Sequence, residues 1–239
     1  MLDQKVGVGI KASELFVECL EREGVSLIFG VPGEENADLM MALNKSNSIR
    51  FVLTRHEQGA AFMAEVYGRL TGNPAGCLAT LGPGATNLVT GLVESLNAGS
   101  PLVVLVGDSH RAHSGKNMTQ ETDQVSILKP ACKELLHVES VERIPEIIRR
   151  AYAVATSGRP GPVGVNVPED VAHGTYNFAD DAFEIDTMHE SAPALRCRPD
   201  SEATRQAVEL LSRAKRPLML CGGGVHLSNA TGAVTMLAE

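Results

Sequence analysis

Short apolar runs alternate with helical periods from residue 12 to residue 168, and that alternation leaves few folds open. Residues 12–23, ASELFVECLERE, repeat Leu15, Phe16, Cys19 and Leu20 at helical spacing and stop at Gly24. VSLIFG follows as a short buried strand, and VPGEEN as a loop punctuated by Pro and Gly. Leu39, Met40 and Leu43 mark a second helix, RFVLT a strand and EQGAAFMAEVYGRLTG a third helix. GCLATL reads as a strand, GPGATN as a loop, and residues 88–98 as a helix with Leu88, Leu92 and Leu96 along one side. PLVVLVG is apolar throughout, as a strand is when both faces of a parallel sheet are covered. The polar loop DSHRAHSGKNMTQETD comes next. A helix around 141–157 then carries Ile144, Ile147, Ile148, Ala151 and Ala155 on one stripe, and GPVGVNVP closes the series as a strand. Strand, crossover helix and strand repeated this often predict an α/β fold, a doubly wound parallel sheet with helices on both faces.

The pattern changes near residue 172. HGTYNFADDAFEIDTMHESAPALRCRPD has little periodicity and many acidic and small residues, so residues 172–200 are expected to form a linker. SEATRQAVELLSRA then reads as a helix, RPLMLCGGG as a strand, and a further helix begins near Ala230. One strand and two helices cannot bury a core. Residues 201–239 are therefore expected to be the start of an incomplete second α/β domain, after a first domain over residues 1–171.

Composition excludes several classes. Aromatic residues are 4% of the 239 and Trp is absent, so the core is aliphatic. The formal charge is -8 with no long basic run, which argues against nucleic-acid binding. Cys19, Cys77, Cys132, Cys197 and Cys221 form no CxxC pair. Cys19, Cys77 and Cys221 lie inside apolar runs and read as small buried hydrophobes in a reducing compartment. No signal peptide and no membrane-length apolar stretch is visible, so a soluble, cytoplasmic protein is expected.

Three loops leave the carboxyl ends of the expected strands: GVPGEEN (30–36), RHEQGA (55–60) and TLGPGATN (80–87). In open α/β sheets ligands bind along that edge. Pro32, Gly33, Gly82, Pro83 and Gly84 let the backbone approach a flat ligand, although such residues also simply turn a chain. GPGATN lacks the third glycine of a dinucleotide fingerprint. Glu57 stands where a strand becomes a helix. A carboxylate there either complements the helix dipole or faces a ligand pocket. His110 and His113 form HxxH without a third ligand nearby, so no metal site is expected. Asp108, Ser109 and His110 are adjacent, but no GxSxG elbow supports a hydrolase triad. Arg111, His113 and Lys116 make this loop basic, suited to an anionic substrate such as a 2-keto acid or equally to an ordinary surface loop.

FGVPGEEN, TRHEQGAAFMAEVYGRLTG, TLGPGATNLVTGL and SGRPGPVGVNVPEDV resemble the pyrimidine-binding domain of thiamine diphosphate-dependent enzymes, most of all the acetolactate synthase large (catalytic) subunits. The resemblance covers roughly residues 11–172, with the first elements of the family's central domain after the linker. It implies a catalytic role for Glu57. In the family this glutamate hydrogen-bonds the N1' nitrogen of the aminopyrimidine and favours the imino tautomer. That tautomer takes the proton from C2 of the thiazolium, and the resulting ylid is the nucleophile. The same resemblance places Val31, Pro32 and Gly33 along the pyrimidine edge and Thr80, Pro83 and Asn87 where the third loop meets the ring. Gln120 matches a glutamine near the reacting centre.

The resemblance further implies decarboxylation of pyruvate, with transfer of the two-carbon unit to a second 2-keto acid. Other decarboxylases and carboligases share these motifs, and a non-catalytic dimerising module could share the fold. Thr119 stands where biosynthetic acetolactate synthases usually carry an aromatic residue. Thiamine diphosphate is the implied cofactor, with Mg²⁺ held through a diphosphate-binding domain whose Gly-Asp-Gly motif does not occur here. FAD is optional: Arg159 matches an arginine that contacts it, and Gly222 to Gly224 resemble the flavin loop. Family sites form between two subunits, so a homodimer or tetramer is expected and the chain by itself is expected to be inactive.

Overall fold

The alternation becomes a six-stranded parallel sheet. The computed structural model describes residues 9–177 and 197–239. Its strands are β1 (Ile10–Lys11), β2 (Leu27–Gly30), β3 (Arg50–Leu53), β4 (Ala75–Ala79), β5 (Leu102–Asp108), β6 (Glu134–His137), β7 (Pro162–Pro168) and β8 (Thr175–Tyr176). The main sheet runs β3-β2-β4-β5-β7-β6 with every pairing parallel. β1 and β8 form a separate antiparallel pair.

Helices cover both faces. They are α1 (Ala12–Arg22), α2 (Ala37–Leu43), α3 (Glu57–Thr71), α4 (Pro83–Asn87), α5 (Val89–Ala98), α6 (Gln124–Leu128), α7 (Ile144–Thr156) and α8 (Glu169–Ala172). On one face α1, α2 and α7 bury Leu15, Phe16, Leu20, Ile144, Ile148 and Ala151 against Ile28, Leu78, Val103, Leu105, Val163 and Val165. On the other, Ala60, Ala61 and Ala64 of α3 and Leu92 of α5 cover Ala75, Cys77, Leu102, Val104 and Val106. Successive strand residues thus feed opposite cores, which is why β5 had to be apolar throughout. Small residues dominate the second core, so α3 and α5 pack closely there.

Several elements differ from the sequence expectation. GPGATN is not a loop: residues 83–87 form α4, with Pro83 in the first turn, where its missing N–H costs nothing. β6 and α6 lie in a stretch that the helical and strand periods left unread, because each is only four or five residues long. RPLMLCGGG is not a strand. Leu218 and Leu220 are exposed, and Cys221, expected to be buried, is exposed as well. A lone strand has no ladder partner to satisfy it, and no neighbouring strand exists among the described residues of that part.

Residues 197–239 belong to a second unit, distinct from the first. They contain α9 (Ser201–Arg213), α10 (Gly224–Leu227) and α11 (Thr231–Ala238), none of which buries a residue. The segment expected as a linker from 172 is still engaged at Thr175 and Tyr176, which pair with β1. Its part from 178 to 196 lies outside the described residues.

Candidate active site at the switch point of the sheet

β2 has β3 on one side and β4 on the other, so the loops after β2 and β4 diverge to opposite faces of the sheet. That is a topological switch point, and the crevice outside the carboxyl ends of the two strands is where doubly wound sheets take ligands. Val31, Pro32 and Gly33 follow β2, and Thr80, Pro83 and Asn87 follow β4. α3 runs from β3 past β2 to β4, which carries Glu57 from the neighbouring strand end to the same crevice.

The environment of Glu57 bears on the dipole reading. His56 already caps α3, its Nδ1 accepting from Gln58 N at 3.1 Å. Glu57 is only 7% exposed, whereas a residue that merely complements a helix dipole stays solvated. Its Oε2 accepts from Asn87 Nδ2 at 2.9 Å, and Oε1 lies 3.5 Å from where a Cβ on Gly84 would stand. Glu65, two turns along, makes an instructive contrast. Its buried carboxylate pairs with the Arg69 guanidinium and accepts from Ser100 Oγ at 2.7 Å. Among the described residues Glu57 has no cation. A buried carboxylate with one amide partner, facing a glycine in a ligand crevice, is arranged to meet a further donor.

The turn after β4 is held from beneath. Gly82 adopts φ +55°, and a Cβ there would lie 1.8 Å from the carbonyl oxygen of Gln120, so only glycine fits. This contact also brings the backbone of Gln120, itself at φ +65° and exposed, against the crevice loop. Gly82 N donates to Gln124 Oε1 at 2.8 Å. Gln124 Nε2 donates to Gly107 O at 2.8 Å and to Asn166 Oδ1 at 2.7 Å, and Asn166 Nδ2 donates to Asp108 Oδ2 at 2.6 Å. Gln124 and Asn166 are each 1% exposed, so this is a buried, satisfied polar network linking the ends of β5 and β7 to the turn. Sequence reasoning missed both. A signal existed for Gln124: it stands four residues before buried Leu128, on the apolar side of a short helix that begins at the Asp123 cap.

The loop from 109 to 123 is built on its own contacts. Partial burial would raise the Asp170 carboxyl, but the hydrogen bonds and charge of Arg111 hold it below its ordinary range. The Arg111 guanidinium also donates to Glu139 O at 2.7 Å. His110 and His113 stack on each other, with ring centroids 5.0 Å apart. Lys116 Nζ donates to Ala112 O at 2.8 Å. The cations of this loop are therefore engaged locally. Asp108 serves Asn166 and the amide of Ser109. The Arg159 guanidinium donates to Asn97 O at the end of α5. No group of three metal-ligating side chains occurs among the described residues.

Two kinds of likeness join this geometry to known proteins. The family described as thiamine pyrophosphate enzyme, N-terminal TPP binding domain, matches residues 10–127. The chain is 42% identical over 216 residues to an acetolactate synthase, chloroplastic, of Arabidopsis thaliana, covering 90% of this chain and 32% of that one. It is 37% identical over 232 residues to the acetolactate synthase isozyme 1 large subunit of Escherichia coli (strain K12), covering 95% and 39%. It is 36% identical over 238 residues to a probable acetolactate synthase large subunit of Methanocaldococcus jannaschii, covering 96% and 39%. The chain spans about a third of the length of the curated relatives it matches. With the matched stretch taking in Glu57, Asn87 and the switch-point crevice, residues 10–127 are an N-terminal TPP-binding domain of the thiamine pyrophosphate enzyme family.

Proposed function

We propose that the chain is the pyrimidine-binding part of an acetolactate synthase-type enzyme that decarboxylates pyruvate and transfers the two-carbon unit to a second 2-keto acid. The buried Glu57 carboxylate, held by Asn87 at the switch point, is the observation that carries this reading. Thiamine diphosphate, when bound, supplies the nucleophilic carbon and accepts the electrons released by decarboxylation. Glu57 holds and shares a proton at the ring nitrogen of the aminopyrimidine, through the oxygen that Asn87 leaves free. Asn87 fixes the carboxylate, and the burial of Glu57 limits competition from water for that proton. Val31, Pro32 and Gly33 border one side of the ring, Thr80 and Pro83 the other, and Gln120 stands toward the reacting carbon.

Mg²⁺ belongs in this reading to a diphosphate-binding domain, contributed across a subunit boundary, with residues 1–171 as the pyrimidine domain and 201–239 as the opening of a central domain. FAD is optional in this reading; Arg159, the residue that would contact it, donates to Asn97 O at the end of α5. A cytoplasmic setting accords with five free cysteines. No helix of the described residues is long and apolar enough to cross a membrane. The test supplies the complete enzyme with pyruvate, Mg²⁺ and thiamine diphosphate, and acetolactate is the expected product. Pyruvate left untouched while another keto acid or an acyl thioester is consumed would exclude the substrate and keep the cofactor.

A further inference from the structure

The crevice holds a second carboxylate to which the reading above gives no task. Glu35 lies in the 3-10 turn after β2, and its Oε2 accepts a hydrogen bond from Thr80 Oγ1 after β4. The bond spans the switch point and joins residues 45 apart in the chain. Its surroundings are shaped to admit it. A Cβ on Gly33 would lie 2.4 Å from Thr80 Oγ1, one on Gly84 2.8 Å from Thr80 Cγ2, and one on Gly107 3.0 Å from Glu35 Cβ. Three strand-end segments make room for this pair by carrying no side chain. The loop around Glu35 is itself braced, with Gly33 N donating to Asn36 Oδ1 at 2.9 Å. Leu78, Leu105 and Val106 form an apolar floor beneath Glu35 and Asn36.

We propose that Glu35 is a positioning residue of the crevice: its bond to Thr80 latches the loop after β2 to the turn after β4 and sets the slot that the aminopyrimidine ring enters. This role rests on the cofactor reading above and deepens it. The latch acts as a hydrogen bond and not as a charge. Glu35→Gln keeps an acceptor for Thr80 and retains the slot, whereas Glu35→Ala and Thr80→Val each open it. Because one bond is removed in either case, the double variant Glu35→Ala/Thr80→Val behaves like a single one.

Two measurements on the 239-residue chain test this. The first is amide hydrogen exchange over residues 81–88 without ligand. The second is binding of the cofactor's pyrimidine alcohol, 4-amino-5-hydroxymethyl-2-methylpyrimidine, followed by calorimetry or NMR. The expected result is faster exchange in Glu35→Ala and in Thr80→Val, binding weakened about tenfold, no further loss in the double variant, and near wild-type values in Glu35→Gln. Unchanged exchange in Glu35→Ala would overturn the latch whatever the pyrimidine does. Faster exchange with unchanged binding would reduce the bond to a loop brace and overturn the positioning role. Tighter binding in Glu35→Ala would make Glu35 an obstruction. Loss in Glu35→Gln equal to that in Glu35→Ala would show that charge matters and not the bond. A wild-type chain with the expected exchange pattern that binds no pyrimidine would instead sink the cofactor reading, and with it the use assigned to the latch.

Discussion

Glu57 and Gln124 show two ways in which a residue can matter to one turn. Glu57 meets the crevice, and its conversion to Gln separates the readings of its carboxylate. A dipole-complementing glutamate would lose roughly 0.3–1 kcal/mol of stability and leave turnover alone. Under the proposed function, Glu57→Gln keeps the shape and the Asn87 contact but cannot share a proton. Exchange of the cofactor's C2 hydrogen in the complete, cofactor-saturated enzyme should then slow by about 10²-fold or more. Equal exchange rates in the two proteins would return Glu57 to the bland reading. Gln124 acts from below. Gln124→Leu fits the buried volume but orphans Gly82 N and Asn166 Oδ1, so it should cost about 1–3 kcal/mol in urea unfolding. A loss under a few tenths would mean that the network does not hold the turn. The crevice loops and the position of Glu57 stood out because strand ends, glycines and a carboxylate coincide there, whereas Asn87 was named only through the family resemblance. Gln124 and Glu35 did not stand out, because what defines them is a partner 42 or 45 residues away, which no local pattern encodes.

Among the elements, α3 carries the most. Its first residue is Glu57, its alanines pack on the sheet, and Gly72 ends it in the left-handed conformation at φ +76°. Its outer side is unusual for a surface helix. Met63, Val66 and Leu70 are 49%, 46% and 65% exposed at positions i, i+3 and i+7, with Val93 of neighbouring α5 at 41%. Three apolar residues on one exposed stripe favour the homo-oligomer of the proposed function, with this stripe covered in the assembly. Light scattering at tens of micromolar should give a dimer or larger, and Val66→Asp/Leu70→Asp should shift it toward monomer while the far-ultraviolet circular dichroism is kept. A folded wild-type monomer at that concentration would refute the interface. The long elements, α1, α3, α7, β5 and β7, were readable because each spans enough residues to show a period. The short ones were not. β6 has four residues, and α4 hides behind Gly-Pro-Gly, the very residues that signal a turn. RPLMLCGGG failed for the opposite reason: its composition suits a strand, but a strand exists only when a neighbour completes its hydrogen bonds.

At the scale of the whole molecule, the five thiols divide between the two units. Cys19, Cys77 and Cys132 are buried in the first, and burial pushes each thiol up to about 12. Raised values mean that the folded state resists ionisation. That part of its stability is complete below the ordinary thiol range and is lost as pH rises toward about 12, so alkali should open the first unit. Cys197 and Cys221 are exposed in the second unit. With a disulfide reagent near pH 8, two thiols should therefore react at once, and three only as fast as the fold opens. The count also tests the domain assignment. If residues 201–239 begin a central domain, the run Leu218 to Cys221 gains neighbouring strands in the complete enzyme and becomes an interior strand of it. Cys221 should then be protected there, while Cys197, in the expected linker, still reacts. Rapid labelling of Cys221 in the complete, cofactor-loaded enzyme, read by mass spectrometry of the modified peptide, would show that this segment is no core strand and would remove the central-domain reading of residues 201–239.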